Sequence, residues 1–201
     1  MKKHFFNSVF VILPLILTAC TTTDPVKTTP QNTVQWATLV DQSTNLYRID
    51  NKLFRSEQLT EQSQYLLERQ GIKTLINLRF FDRNDDQQAF NRGQFTLINA
   101  PLLTWHITPK EVAHILWQIK QYQKNGAVLI HCYHGADRTG LISAMYRVIY
   151  QNWSLDEAKR EMTEGPYGFH SIWKNLENFF TEENVIQIKK ELSELNTHQK
   201  L

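Results

Sequence analysis

Cysteine is scarce in this chain: two, Cys20 and Cys132, stand in 201 residues. That is too few to staple a fold with disulfides, whose signature is a dense, even set. A long apolar run is missing as well. The most apolar stretch, residues 5–17, falls short of the ~20 residues of a membrane-spanning helix and contains Pro14. No internal repeat is visible. An excess of either charge is also lacking: Lys2 and Lys3 precede residue 20 and no acid does, so residues 20–201 hold 20 of the 22 basic residues against 20 acidic ones. Without net charge there is no electrostatic footprint for nucleic acid, and no such partner is expected.

What is there begins with an export signal. Lys2 and Lys3 precede the apolar stretch, which ends in Leu17-Thr18-Ala19-Cys20. That tetrapeptide resembles a bacterial lipobox, which implies a signal peptide over residues 1–19 and a lipid on Cys20. Asp is absent just after Cys20, which favours outer-membrane over inner-membrane sorting. Residues 20–35 then form a tether, Thr-rich and broken by proline, with almost nothing to bury. From residue 36 to 201 the composition is globular and suits one domain. With Cys20 acylated, Cys132 has no partner within the chain. A lone thiol in an oxidising envelope compartment points to function.

Short apolar strands alternate with amphipathic helices along that domain. Residues 46–49 and 53–55 flank Asp50-Asn51, a turn signal, and read as a hairpin. Thr60 is placed to cap a helix running to Gln70 and stopped by Gly71. Residues 74–78, 95–100 and 127–130 read as strands. Thr108-Pro109-Lys110-Glu111 and Ser154-Leu155-Asp156-Glu157 both have the spacing of capping boxes, and Thr181-Glu182-Glu183 opens a last helix. The expected fold is α/β: a parallel-type central sheet with helices on both faces, the helical C-terminal third covering one side.

In such a sheet, ligands bind where strands end and helices begin. The sequence HCYHGADRTG, residues 131–140, occupies that place, between the strand at 127–130 and a helix from Thr139 to about Gln151. Backbone N–H groups in a tight loop can cradle an oxyanion, and the following helix adds partial positive charge. Arg138 can bind two oxygens of a phosphate at once. The same field favours a thiolate at Cys132, below the ~8.5 of a free thiol. Gly135 permits the turn. The loop lacks the lysine of a nucleotide-binding P-loop, so it cradles phosphate without binding ATP.

The motif His-Cys, five residues, Arg-Thr resembles the signature of cysteine-dependent protein tyrosine and dual-specificity phosphatases. Leu46-Tyr47-Arg48, Leu53-Phe54-Arg55-Ser56, Ile76-Asn77-Leu78-Arg79 and Ala144-Met145-Tyr146-Arg147 are similar to a bacterial exported branch that includes a periplasmic, biofilm-linked member. The resemblance covers residues 36–173. A rhodanese-like loop is one residue shorter between Cys and Arg, and low-molecular-weight phosphatases carry their cysteine near the start of the chain.

What the resemblance implies is specific. Cys132 is the nucleophile, forming a phosphocysteine, and Arg138 binds the transferring phosphoryl group. His131 orients the loop, Tyr133, His134, Gly135 and Ala136 complete it, and Thr139 assists hydrolysis. Neither metal nor cofactor is needed. The implied partners are phosphorylated envelope proteins or small phosphomonoesters, met from a periplasm-facing lipid anchor.

One part is lacking. The family's general acid is an aspartate expected within residues 99–109, and that segment holds no acid at all. General acid catalysis contributes typically ~10²–10⁴-fold, so a replacement is needed. Asp137, inside the loop as in myotubularin-like and Sac-type phosphatases, is the first choice. Asp82, Asp85 and Asp86 follow another strand, in a stretch that otherwise reads as a solvated loop, and His106 lies in the expected segment. A phosphoinositide or other small-molecule phosphatase is the second reading. A non-catalytic phosphate-binding module is the third, and the pairing of a thiol with Arg138 speaks against it.

Overall fold

Residues Ala127–His131 are buried along their whole length, and their side chains alternate between two separate cores. Val128 and Ile130 join one cluster, Ala127 and Leu129 the other. Such a strand belongs in the middle of a sheet covered on both faces. In the computed structural model, which describes residues 35–90 and 93–198, it is β6 of a six-stranded sheet.

The strands are β1 (Thr38–Asp41), β2 (Leu46–Arg48), β3 (Leu53–Ser56), β4 (Ile72–Arg79), β5 (Thr96–Leu102) and β6 (Ala127–His131). Their spatial order is β1-β2-β3-β6-β4-β5. β3, β6, β4 and β5 run parallel, so their carboxyl ends, Ser56, His131, Arg79 and Leu102, share one edge. β1 and β2 extend the sheet antiparallel, which makes it mixed at that edge. The β2–β3 hairpin turns on Asp50, whose Oδ1 accepts from the N–H groups of Lys52 and Leu53 at 2.7 and 2.9 Å.

The helices are α1 (Gln64–Arg69), α2 (Asp85–Ala89), α3 (Pro109–Tyr122), α4 (Asp137–Gln151), α5 (Leu155–Glu164), α6 (Lys174–Glu177) and α7 (Glu182–His198). α3, α4, α5 and α7 supply the larger core, with Val112, Leu116, Leu141, Met145, Met162 and Ile188 fully or almost fully buried. α1 covers the opposite face with Leu67, beside Phe90 and Phe95. The α/β class with helices on both faces therefore holds.

Several elements differ from their expected form. Thr60 makes no side-chain cap, and a 3₁₀ turn at Glu61–Ser63 precedes α1. Thr108 forms a complete capping box with Glu111. Ser154 forms half of one: its hydroxyl accepts from the Glu157 N–H, but the Glu157 carboxylate turns to Trp36 Nε1 and Arg160. α4 starts at Asp137, two residues earlier than Thr139, so Asp137 and Arg138 are helical. β1 and α6 carry no clear sequence signal, being four residues each. The stretch after β4 contains α2 and is not a solvated loop throughout, because Asp86 is buried. Cys20 and the signal and tether around it lie outside the described residues.

Candidate active site

Cys132 follows the last residue of β6 and is buried, as is its neighbour His131. The peptide then bends through residues 133–136 and enters α4. Gly135 makes the bend with φ +69°, the left-handed region that favours glycine. Only glycine fits for a second reason: an added Cβ would stand 2.5 Å from the carbonyl of Ser56.

The carbonyls of this bend are all tied to the scaffold. Tyr133 O accepts from the Gln58 N–H at 3.0 Å, and His134 O from Asn45 Nδ2 at 2.9 Å. Gly135 O accepts from Arg55 Nη2 at 2.8 Å, and Ala136 O from the Gly140 N–H at 2.8 Å. Carbonyls held outward leave the opposite sides of their peptide planes for N–H groups. Among the described residues, no partner accepts from the backbone N–H groups of residues 133–138. Ala136, the residue before α4, adds no side-chain cap, so the first-turn amides also stay open. The result is an anion nest over a cysteine, with the positive end of a 15-residue helix behind it.

Arg55 is the residue that sequence reasoning noticed without giving it a task. It is fully buried, donates to the loop, and stacks its guanidinium 3.9 Å from the Tyr167 ring centroid. Burial lowers its pKa, while Tyr167, Glu161 and Cys132 favour the cation. A fixed positive charge thus lies within electrostatic reach of the thiol. Burial raises the Tyr167 phenol above its usual range, Glu161 adding to that shift and Arg55 opposing it.

The His131 ring lies between the loop and α2: its Nδ1 is 3.4 Å from the Cys132 carbonyl, and its Nε2 meets Asp86 Oδ2 at 2.8 Å, both side chains being buried. Burial works to raise the Asp86 carboxyl, but the His131 hydrogen bond and charge, with Gln58 and Arg79, hold it below the usual carboxylate range. Asp86 is therefore committed to His131 and to Gln58 Nε2, 2.7 Å away. Asp82 and Asp85 both pair with Arg79, at 2.6 Å for Asp82. The Arg79 guanidinium lies 5.2 Å from the Tyr133 ring centroid. His106 is exposed in the turn after β5. Arg138 is half-buried and reaches the Leu78 carbonyl at 3.4 Å. The Thr139 hydroxyl is buried and, among the described residues, has no hydrogen-bond partner.

Asp137 points to a residue that sequence reasoning missed. Its Oδ1 accepts from the His170 N–H at 2.9 Å, and its two oxygens lie 3.1 and 3.0 Å from His170 Nδ1. No Asp137–Arg138 ion pair forms among the described residues. His170 comes from the segment after α5, 33 positions away, and no local motif marks it.

Residues 27–177 match the family described as DSP-PTPase phosphatase fused to NAD+ kinase. The chain belongs to this dual-specificity and tyrosine phosphatase family. It is 37% identical over 133 residues to the dual specificity protein phosphatase TpbA of Pseudomonas aeruginosa, covering 66% of this chain and 60% of that protein. The match thus spans less than two thirds of the curated relative. The crystal structure of P. aeruginosa TpbA superposes with a TM-score of 0.72 at 31% identity, covering 79% of this chain and 96% of the other. A cysteine-to-serine variant of TpbA in complex with phosphotyrosine gives 0.73 at 30% identity, covering 81% and 98%.

Proposed function

We propose that this chain is a phosphatase that hydrolyses phosphomonoesters, phosphotyrosine in proteins first among them, through a phosphocysteine at Cys132. The observation that carries this reading is the loop itself: four consecutive carbonyls each held by a hydrogen bond, amides with no partner among the described residues, a buried cysteine and Arg138 together. The phosphotyrosine complex of TpbA supports the substrate class.

In the first step the Cys132 Sγ lone pair attacks phosphorus and the bond to the leaving oxygen breaks, a proton going to that oxygen. The equatorial oxygens sit against the loop amides and Arg138, which supply the charge stabilisation that phosphoryl transfer depends on. In the second step water attacks phosphorus and the S–P bond breaks. Its electron pair returns to sulfur, where the free Thr139 hydroxyl can donate a hydrogen bond. Arg55 and the start of α4 set positive charge near the sulfur on both occasions. Asp137 takes part through His170, since its oxygens face that imidazole.

The exposed aromatics Phe81, Trp105 and Tyr133 all follow carboxyl ends of parallel strands, the edge where the loop lies. Such rings suit an aryl phosphate more than a highly charged inositol headgroup. We also place the protein in the cell envelope, facing the periplasm on a Cys20 lipid, because of the lipobox-like Leu17–Cys20. Among the described residues no helix is long and apolar enough to cross a membrane. Intact-mass measurement of the mature N-terminus checks this, and an unmodified start elsewhere contradicts it.

The test of the activity is turnover by the full chain of phosphotyrosine, phosphoserine and phosphothreonine peptides and phosphoinositides, with and without Cys132→Ser. Phosphotyrosine should turn over fastest, and the serine variant should lose at least ~10³-fold while still being protected from unfolding by phosphate. Retained turnover in that variant would refute the mechanism.

A further inference from the structure

We infer that His170 is the proton donor to the leaving oxygen and that Asp137 is its positioning residue, a carboxylate–imidazole pair standing where this chain lacks the usual aspartate. The inference rests on the phosphatase reading and goes beyond it by assigning a residue outside the signature loop to the chemistry.

The geometry favours the pair over Asp137 acting alone. A carboxyl that donates a proton must carry an O–H aimed at the substrate. Both Asp137 oxygens lie within 3.1 Å of His170 Nδ1, and one also accepts the His170 backbone N–H at 2.9 Å. With Asp137 as the carboxylate, its two oxygens share the one Nδ1–H of His170 and Oδ1 accepts the backbone N–H besides. Since a carboxylate only accepts, the proton between them belongs to Nδ1, which fixes the ring and leaves Nε2 as its free end. The Asp137 side chain is 12% exposed, whereas that of His170 is 49% exposed. The carboxylate is the buried anchor and the imidazole the group that can reach a bound molecule.

The ring also stands at the right place. His170 lies 5.3 Å from the ring of His134, which belongs to the phosphate-binding loop. Its segment is held against that loop at several points. Asn45 Nδ2 bridges His134 O and Tyr167 O, at 2.9 and 3.1 Å. The Tyr47 hydroxyl donates to Pro166 O at 3.1 Å, and Tyr167 stacks on Arg55. At Gly168, with φ +83°, an added Cβ would touch Ala136. Further on, Asn175 Nδ2 donates to Thr104 O at 2.8 Å, which ties the same segment to the turn where the family's acid is expected. The stretch that carries His170 is thus held to the phosphate loop on one side, through Tyr167, and to the acid-free turn on the other, through Asn175 of α6. Among the described residues, the titratable groups in contact with its ring are Asp137 from α4 and His134 from the loop.

The proton balance closes over both steps. As the bond from phosphorus to the leaving oxygen breaks and S–P forms, the Nε2 proton passes to that oxygen and His170 becomes neutral. As water then attacks the phosphocysteine, Nε2 takes a proton from it, phosphate departs, and Cys132 and His170 return to their starting states.

The test compares kcat/KM for phenyl phosphate, whose leaving oxygen needs a proton, with that for 4-nitrophenyl phosphate, whose leaving group departs with less help. His170→Gln should slow phenyl phosphate by ~10²-fold or more and the nitrophenyl ester by under ~10-fold, steepening the dependence on leaving group. Asp137→Asn should shift the same ratio in the same direction. Competitive inhibition by inorganic phosphate, read in parallel, should stay within a few-fold of wild type. Equal losses on both esters, no loss on either, or a parallel loss of phosphate inhibition would overturn the role of His170. Wild-type turnover that survives Cys132→Ser would instead overturn the phosphatase reading on which it rests.

Discussion

A methyl group on Gly135 would meet backbone, not a yielding side chain: Ser56 C and O at 2.5 Å and Glu57 N at 2.6 Å. The left-handed backbone alone adds ~1–2 kcal/mol for alanine. Gly135→Ala should therefore lower the unfolding midpoint and cut kcat/KM on phosphotyrosine by at least ~10-fold, because the loop must shift to admit the methyl. A variant with wild-type activity would show that the bend is not needed in this form. At this scale the sequence announced Cys132, Gly135 and Arg138, since all three lie within one short motif of known chemistry. It gave Arg55 no task and was silent on Asn45, Gln58 and His170; these four act from 33 to 89 positions away from the loop residue each serves. Only the register of β3 beside β6, Arg55 opposite Ile130, brings Arg55 beneath the loop. No periodicity encodes that.

Elements fix the site through their ends. The buried pair His131–Asp86 joins the end of β6 to the first turn of α2, where an acid also suits the helix dipole. The stretch reads as loop because a five-residue helix has little periodicity to detect, and its acids look solvated until β6 arrives beside them. Because the folded Asp86 carboxyl titrates below its unfolded value of ~3.9, the pair stabilises the fold above that pH, and the increment is lost as pH falls through the folded value. Asp86→Asn should thus be less stable than wild type at pH 6, and the difference should shrink towards pH 3. Urea unfolding at both pH values measures it. A gap that widens on acidification contradicts the assignment. The long helices were legible for the opposite reason: Thr108–Glu111 and the apolar stripe of α3 agree with each other. At α4 the chain starts its helix two residues before the expected Thr139, and this places Asp137 and Arg138 in a first turn with open amides.

Across the whole molecule, one buried carboxylate gathers the parts that surround the site. Glu161 accepts from Arg147 at 2.8 Å through both oxygens, from the Ala37 N–H at 2.7 Å, and from the Tyr167 hydroxyl at 3.2 Å. It links α4, α5, the segment before β1 and the segment bearing His170, and through Tyr167 it reaches Arg55 and the loop. The α/β class was readable because apolar strands alternate with capped helices. Of the mixed edge the β2–β3 hairpin was readable from its turn, and β1 was not, since it is short and half exposed. All these contacts converge on one chemical claim, that phosphorus becomes bonded to Cys132 during turnover. Rapid acid quench of the full chain with a labelled aryl phosphate, followed by peptide mass spectrometry, tests it directly. Label on Cys132 that appears before free phosphate and vanishes as substrate is exhausted is the predicted result. Label on another residue, or turnover with no protein-bound phosphate at any time, would contradict it.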